Sequence, residues 1–544
     1  MKRIIIIALL FAGYATTKAC TNFLVTKGAS SDGSTMITYA ADSHVLFGEL
    51  YFYPAAKYGA TDSLEIYEWD TGKYLGKIKQ APETYKVVGN INEHQLAIGE
   101  TTYGGRPELI DTTGVIDYGS LMYITLQRAK TAREAIQIIG ELLATYGYYS
   151  SGESFSIADP NEVWIMEMIG KGVGNKGAVW VAQRIPDGYI SGHANQARIT
   201  QFPINDPENC LYAPDVISFA KEKAYYQGPD SLFSFSDAYA PVDFGGARFC
   251  DARVYAGFNK VNSGMKAYED YAMGHNLQNR MPLWVKPDKK LNVSDVMGMM
   301  RDYYQGTPMD MTQDIGAGAN ACIVRWRPLT WEVDGKTYFN ERAISTQQTG
   351  FSFVAQMRSW LPNPVGGILW FGVDDTYSTV YTPVYCGTNG VPHAFAVGNG
   401  SMMKFSDESA FWIFNMVSNL AYTRYNLMLP FIQDKQSRLE QSFIESVKVM
   451  DARYLATKKE KEQAELLTNF TLEAGNQTLN EWKSLYQFLF VRFMDGNVKS
   501  EVPVPEGYKY VTPKLEQPGY SEAWYKKVAE DTGERLKVPE GSGH

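Results

Sequence analysis

The feature that most constrains this chain lies at its start. Residues 1–19 read MKRIIIIALLFAGYATTKA, with Lys2 and Arg3, an apolar stretch from Ile4 to Ala15, and Thr17 and Ala19 just ahead of Cys20. A basic head, an apolar middle and a small-residue end form the pattern of a secretory signal peptide cut after Ala19. The apolar stretch is shorter than the roughly 20 residues that cross a bilayer. No later run matches it, so the expectation is a mature protein without a transmembrane segment, secreted or periplasmic. Such a cut makes Cys20 the first residue of the mature chain.

Two chemistries want a cysteine there, besides a plain structural role. Lipid anchoring prefers a Leu-like residue three before the cysteine and small residues between; Thr17, Lys18 and Ala19 stand there instead, and Lys18 fits badly. N-terminal nucleophile catalysis uses the thiol to attack an amide carbonyl and the α-amine of the same residue to take up the proton. Their reference pKa values, about 8 for the amine and about 8.5 for the thiol, suit that exchange near neutral pH. An amine still acylated in a peptide bond cannot serve, so the cut would also be the activation step.

After Cys20 come a β-rich run at Phe23 to Thr26, a turn-like Ser30-Ser31-Asp32-Gly33 and a second run at Thr35 to Tyr39. This reads as a hairpin with the cysteine at the free end of its first strand. Asp42, just past the second run, is thereby returned toward Cys20, as a functional carboxylate or a solvated turn residue. Further on, Val163 to Met168 and Val179 to Gln183 read as strands, and Ala129 to Ala144 as an amphipathic helix with Thr131 as N-cap and Glu134 three residues later. The formal charge of −9 disfavours a nucleic-acid partner. There is no CxxC, HExxH, Walker-type or GxGxxG motif to imply a metal or nucleotide cofactor.

Several long segments together carry a resemblance: CTNFLV from Cys20, the DGSTMIT hairpin with Asp42, NEHQLAIGETTYGG from Asn92, VWIMEMIG from Val163, VWVAQRIPDGYISGHANQARI from Val179, RFCDARVY from Arg248, and FVAQMRSWLPNPVGGILWFGVDD from Phe353. The chain resembles the C69 dipeptidases of the N-terminal nucleophile hydrolase superfamily, relatives of penicillin V acylases and bile salt hydrolases. The resemblance implies an α+β fold, a four-layer αββα sandwich, and a metal-free, cofactor-free cysteine dipeptidase acting on dipeptides or short peptides. The related alternative is an N-acyl amide hydrolase on the same parts, and from another class a lipid-anchored, inactive relative.

By the same resemblance Cys20 is nucleophile and, through its amine, general base. Asp42 is the carboxylate beside it, Asn195 an oxyanion donor, and Arg253 a second family arginine. Where the acylases commonly carry an arginine three residues before that carboxylate, this chain has Tyr39, so the positive field at the thiol is missing or comes from Arg253. Where they place an asparagine near Thr101, it reads Glu100-Thr101, leaving Asn92 and Thr101 as weak second donors. His44 and His193 are read as packing residues rather than papain-like partners.

Residues 401–500 turn helical in pattern, an extension of the hydrolase domain at 20–400 that either packs on it or forms a homo-oligomer surface. The tail at 501–544, rich in Pro, Gly and charge, is expected to be extended. Cys210, Cys250, Cys322 and Cys386 allow one or two disulfides, with the pairing open.

Overall fold

The computed structural model describes residues 20–542. Two large sheets, antiparallel throughout, organise them. The first has seven strands in the order Trp284–Val285, Ile190–His193, Asn22–Val25, Thr35–Asp42, Thr349–Met357, Gly367–Val373 and Thr382–Tyr385. The second has eight, in the order Cys210–Tyr212, Ala178–Arg184, Val163–Gly170, Gly152–Ala158, Ala97–Tyr103, Ile91–Asn92, Val87–Val88 and Phe52–Tyr53. The central strands Thr35–Asp42, Thr349–Met357, Gly152–Ala158 and Val163–Gly170 are buried at every position. A sheet covered on both faces needs no polar alternation, as the apolar run of Val163–Gly170 shows, and polar residues such as Glu153, Ser154 and Ser156 are buried with their neighbours.

The sheets meet where the chain begins. A Cβ on Gly99 would stand 2.7 Å from the Asn22 side chain and 3.3 Å from Tyr39 Cβ. A glycine in strand Ala97–Tyr103 therefore lets it approach the first two strands, at some cost in backbone entropy. That approach carries the next residue, Glu100, to Cys20.

On the second sheet's outer side, Ile136, Ile139 and Leu143 of helix Ala132–Tyr146 share a core with Phe155, Ile157 and Trp164. This helix starts three residues later than the periodicity suggests, because Thr131 is its cap. The Thr131 hydroxyl accepts from Glu134 N, and the Glu134 carboxylate accepts from Lys130 N. Asp42 likewise differs slightly from expectation: it is the last residue of its strand rather than a residue beyond it.

Against the first sheet lie Ala252–Val261, Val293–Met300 and three C-terminal helices, Ala410–Tyr422, Tyr425–Ala456 and Glu460–Phe493. The C-terminal helices pack on the sheet and join its core. Trp482 stacks on Phe414 with ring centroids 4.6 Å apart, and Thr478 and Thr382 hydroxyls meet at 2.9 Å. Arg358, after strand Thr349–Met357, pairs with Asp451 at 2.5 Å, and Glu440 accepts from Tyr381 N at 2.9 Å.

The tail departs from the extended form expected of it. It contributes strand Lys514–Glu516, paired with Val498–Ser500, and helix Glu522–Thr532 capped by Ser521. None of residues 501–542 is buried. Cys210, Cys250, Cys322 and Cys386 are all free thiols, so neither disulfide allowed by their number is present. Among the described residues no helix is long and apolar enough to cross a membrane.

Trp482 is fully buried between the extension and the first sheet. Trp482→Ala should lower unfolding stability by about 3–5 kcal/mol, measured by denaturant titration with circular dichroism. A change within about 0.5 kcal/mol, as for a surface substitution, would contradict a shared core.

Candidate active site

Cys20 precedes the first strand and is buried, while Thr21 exchanges both backbone hydrogen bonds with Ala40, at 3.2 and 3.0 Å. The Cys20 backbone is held by a single side chain. Arg253, fully buried on helix Ala252–Val261, donates through Nη1 to the Cys20 carbonyl at 2.5 Å and Thr21 Oγ1 at 2.7 Å. Its Nη2 donates to the Ala194 carbonyl at 3.0 Å and Asn195 Oδ1 at 2.9 Å. The planar fork of guanidinium is what allows one group to serve both segments. Its contacts are to the carbonyl of Cys20 rather than to the thiol, so it positions the cysteine.

Asn195 follows strand Ile190–His193 with φ of 64°, a left-handed conformation that asparagine tolerates better than most residues. Its Nδ2 donates to the Thr102 carbonyl at 2.5 Å. The rest of the segment is fixed from beneath, since Glu167 accepts from the Arg198 and Ile199 N–H groups at 2.6 and 3.0 Å. Arg198 in turn donates to the Gly192 carbonyl at 2.6 Å. Burial pushes Glu167 up to about 7 even against those N–H donors.

Around the thiol the charges are negative. Cys20 Sγ lies 3.7 Å from Glu100 Oε1 and 3.9 Å from the Tyr39 hydroxyl, and that hydroxyl donates to Glu100 Oε1. Burial first, then the charges of Glu100 and Asp42, raise the thiol's pKa well above its ordinary value. Burial and the same neighbours, Cys20 and Glu100, raise Tyr39 too. Between Tyr39 and Glu100 the thiol is held protonated. Glu100 is 1 % exposed, and its Oε2 has no hydrogen-bond partner among the described residues.

Asp42 accepts from Arg342 Nη2 at 3.1 Å and from Thr349 Oγ1 at 2.7 Å. Desolvation outweighs that ion pair on both sides, holding Asp42 up at about 6 and Arg342 down at about 9.

The other residues singled out in the sequence are occupied elsewhere. His193 bridges Thr101 Oγ1 at 2.7 Å and Ser156 Oγ at 2.8 Å, and burial pushes it down to about 3, so it is neutral. Thr101 thereby has its hydroxyl engaged. Asn92 donates to the Leu126 and Ala129 carbonyls, each at 2.8 Å, which pins its strand to the end of helix Tyr118–Leu126 and the linker that follows. His44 is exposed.

The thiol opens into a cavity of about 250 Å³. Its walls are aromatic, with Tyr39, Tyr51, Tyr53, Trp69, Tyr118 and Phe351 among them, and its charged lining residues are Asp42, Glu49, Asp70 and Glu100. Among the described residues no lysine, arginine or histidine lines it. Such a site can present a nucleophile to a small molecule that carries positive charge. Glu100 and the wall from Glu49 to Thr71 were not among the sequence candidates. The available signal was an acid within the otherwise uncharged strand AIGETTY.

Known proteins match most of the chain. The model of Peptidase family C69 matches residues 49–438. A probable dipeptidase of Salmonella dublin is 25% identical over 407 residues, covering 71% of this chain and 85% of the relative. One from Latilactobacillus sakei is 24% identical over 445 residues, covering 78% and 85%. Dipeptidase A of Lactobacillus helveticus is 23% identical over 433 residues, covering 75% and 83%.

Asp42 generates a pH prediction. The folded carboxyl keeps its proton up to about 6, whereas an unfolded one releases it near 3.8. Between these values the folded state binds more protons, so this group's contribution to stability falls as pH rises across the window and is level above it. Asp42→Asn removes that slope. Stability of the variant relative to the parent should therefore improve from pH 4 to pH 7 by on the order of 2–3 kcal/mol, read from denaturation midpoints. A pH-independent difference would show that Asp42 ionises normally.

Proposed function

The chain belongs to peptidase family C69, and from that premise we propose that it is an exported cysteine dipeptidase whose nucleophile is the N-terminal Cys20 of the processed protein. The observation that carries this reading is the placing of the Cys20 thiol at the cavity, with its carbonyl clamped by Arg253 and no cationic side chain within the lining. Two antiparallel sheets with helices on their outer sides support an αββα sandwich of the N-terminal nucleophile hydrolase type.

In the unprocessed chain the Cys20 nitrogen is an amide and can neither carry charge nor accept a proton. Cleavage after Ala19 converts it to an amine beside Asp42, Glu100 and the thiol. As ammonium it is the positive neighbour that Tyr39 does not provide, and it lowers the cost of forming thiolate. As amine it takes the thiol proton while Sγ attacks the scissile carbonyl carbon. On this reading the second N–H of the Asn195 amide, whose first is given to the Thr102 carbonyl, donates to the tetrahedral oxyanion. Collapse breaks the C–N bond, the ammonium returns the proton to the leaving amine, and a thioester remains on Cys20. Water, deprotonated by the same amine, then releases the first amino acid and restores the thiol.

An N-acyl amide substrate of the acylase type fits less well, because it brings no positive charge to the carboxylates Asp42, Glu49, Asp70 and Glu100 of the lining. A lipid-blocked Cys20 would preclude the mechanism, since its amine could not act as base.

Mass spectrometry of the mature protein should find a free cysteine at residue 20. The processed enzyme should hydrolyse a panel of dipeptides, and the chain retaining residues 1–19 should not. Cys20→Ser should lower kcat at least about 10³-fold with circular dichroism unchanged. Parent-like turnover in that variant, or activity confined to N-acyl amides, would sink the proposal.

A further inference from the structure

Glu100 is the group that the mechanism above leaves unused. One oxygen, Oε1, is held by the Tyr39 hydroxyl and lies 3.7 Å from the nucleophilic sulfur. The other, Oε2, is buried beside the same cavity without a hydrogen-bond partner among the described residues. A buried carboxylate oxygen left unpaired is costly, and such a cost persists where a ligand relieves it. Among the described residues no basic side chain lines the cavity, so beyond the Cys20 amine itself the relief comes from a cation that enters it.

Resting on the dipeptidase reading, we propose that Glu100 binds the free α-ammonium of the substrate's first residue and so restricts the enzyme to peptides with an unblocked amino terminus. Covalent geometry requires the carboxylate to be about where it is. The α-nitrogen is two bonds from the carbonyl carbon, roughly 2.5 Å through N–Cα and Cα–C bonds of about 1.5 Å. The carbon must approach Sγ to roughly 3–3.5 Å before attack. The ammonium of a productively bound dipeptide therefore falls within about 6 Å of Sγ, the zone that Glu100 occupies. Tyr39 takes the oxygen facing the thiol and leaves the second for the ligand. An acetylated amine in that place would present a carbonyl oxygen or a neutral N–H to the carboxylate, losing the charge-assisted bond.

The test compares Ala-Ala with N-acetyl-Ala-Ala and with its des-amino analogue propionyl-Ala, using the processed wild-type enzyme and Glu100→Gln. Wild type should prefer the free amine by about 10- to 100-fold in kcat/KM, the size expected of one hydrogen bond to a charged group. Glu100→Gln should bring the preference to within a few-fold through loss on Ala-Ala alone, and Glu100→Asp should restore part of it. Alkylation of Cys20 by iodoacetamide should be no slower in Glu100→Gln, which separates substrate binding from damage to the thiol. Equal cleavage of free and blocked substrates by wild type overturns the inference while leaving dipeptidase activity standing, and this arm needs no variant to fold. An undiminished preference in Glu100→Gln overturns it likewise. Failure of wild type to cleave any dipeptide would overturn both readings.

Discussion

The site depends on one buried cation. The Arg253 guanidinium ties the start of the first strand to the turn after strand Ile190–His193, holding the Cys20 and Ala194 carbonyls, Thr21 Oγ1 and Asn195 Oδ1 at once. An ion without solvent is tolerable only when its donors are nearly all satisfied. The geometry that satisfies Arg253 also fixes the Cys20 backbone against the Asn195 turn. Lysine could not reproduce it, having a point charge in place of a planar fork.

A second constraint sets the chemistry of the cavity. Burial disfavours every charge there, and the Asp42–Arg342 pair shows that desolvation can exceed mutual attraction even at 3.1 Å. Yet the lining retains carboxylates and lacks basic side chains. That imbalance is tolerable in a working enzyme if cations arrive from elsewhere, one by cleavage of the chain and one with the substrate. On the function proposed above both are α-amino groups, since nucleophile and substrate are then each the start of a peptide.

Parts of this were legible in the sequence for physical reasons. Strands such as Val163–Gly170 are apolar runs bounded by turns, and Thr131 is a capping residue ahead of an amphipathic helix, so local pattern sufficed. Cys20, Asp42, Asn195 and Arg253 were singled out through the motifs around them, and the structure joins Cys20 to Asn195 through Arg253. Glu100 was not, because its neighbours in sequence say nothing of the sheet packed above it; only the approach at Gly99 puts it beside the thiol. The engagement of Asn92 with the Leu126 and Ala129 carbonyls is equally a tertiary fact. The helical tail segment Glu522–Thr532 was masked by surrounding Pro and Gly, although its Ser521 cap follows the usual preference.

The C-terminal helices reach farther into the enzyme than a boundary near residue 400 implies. Asp451 answers Arg358, whose guanidinium also holds the Gly366 and Val365 carbonyls at the turn joining two central strands. Glu440 reaches the Tyr381 N–H and Arg301 at 2.5 Å. A chain cut before these helices would leave Arg301 and Arg358 without the carboxylates that answer them, so the sheet and the extension stand or unfold together.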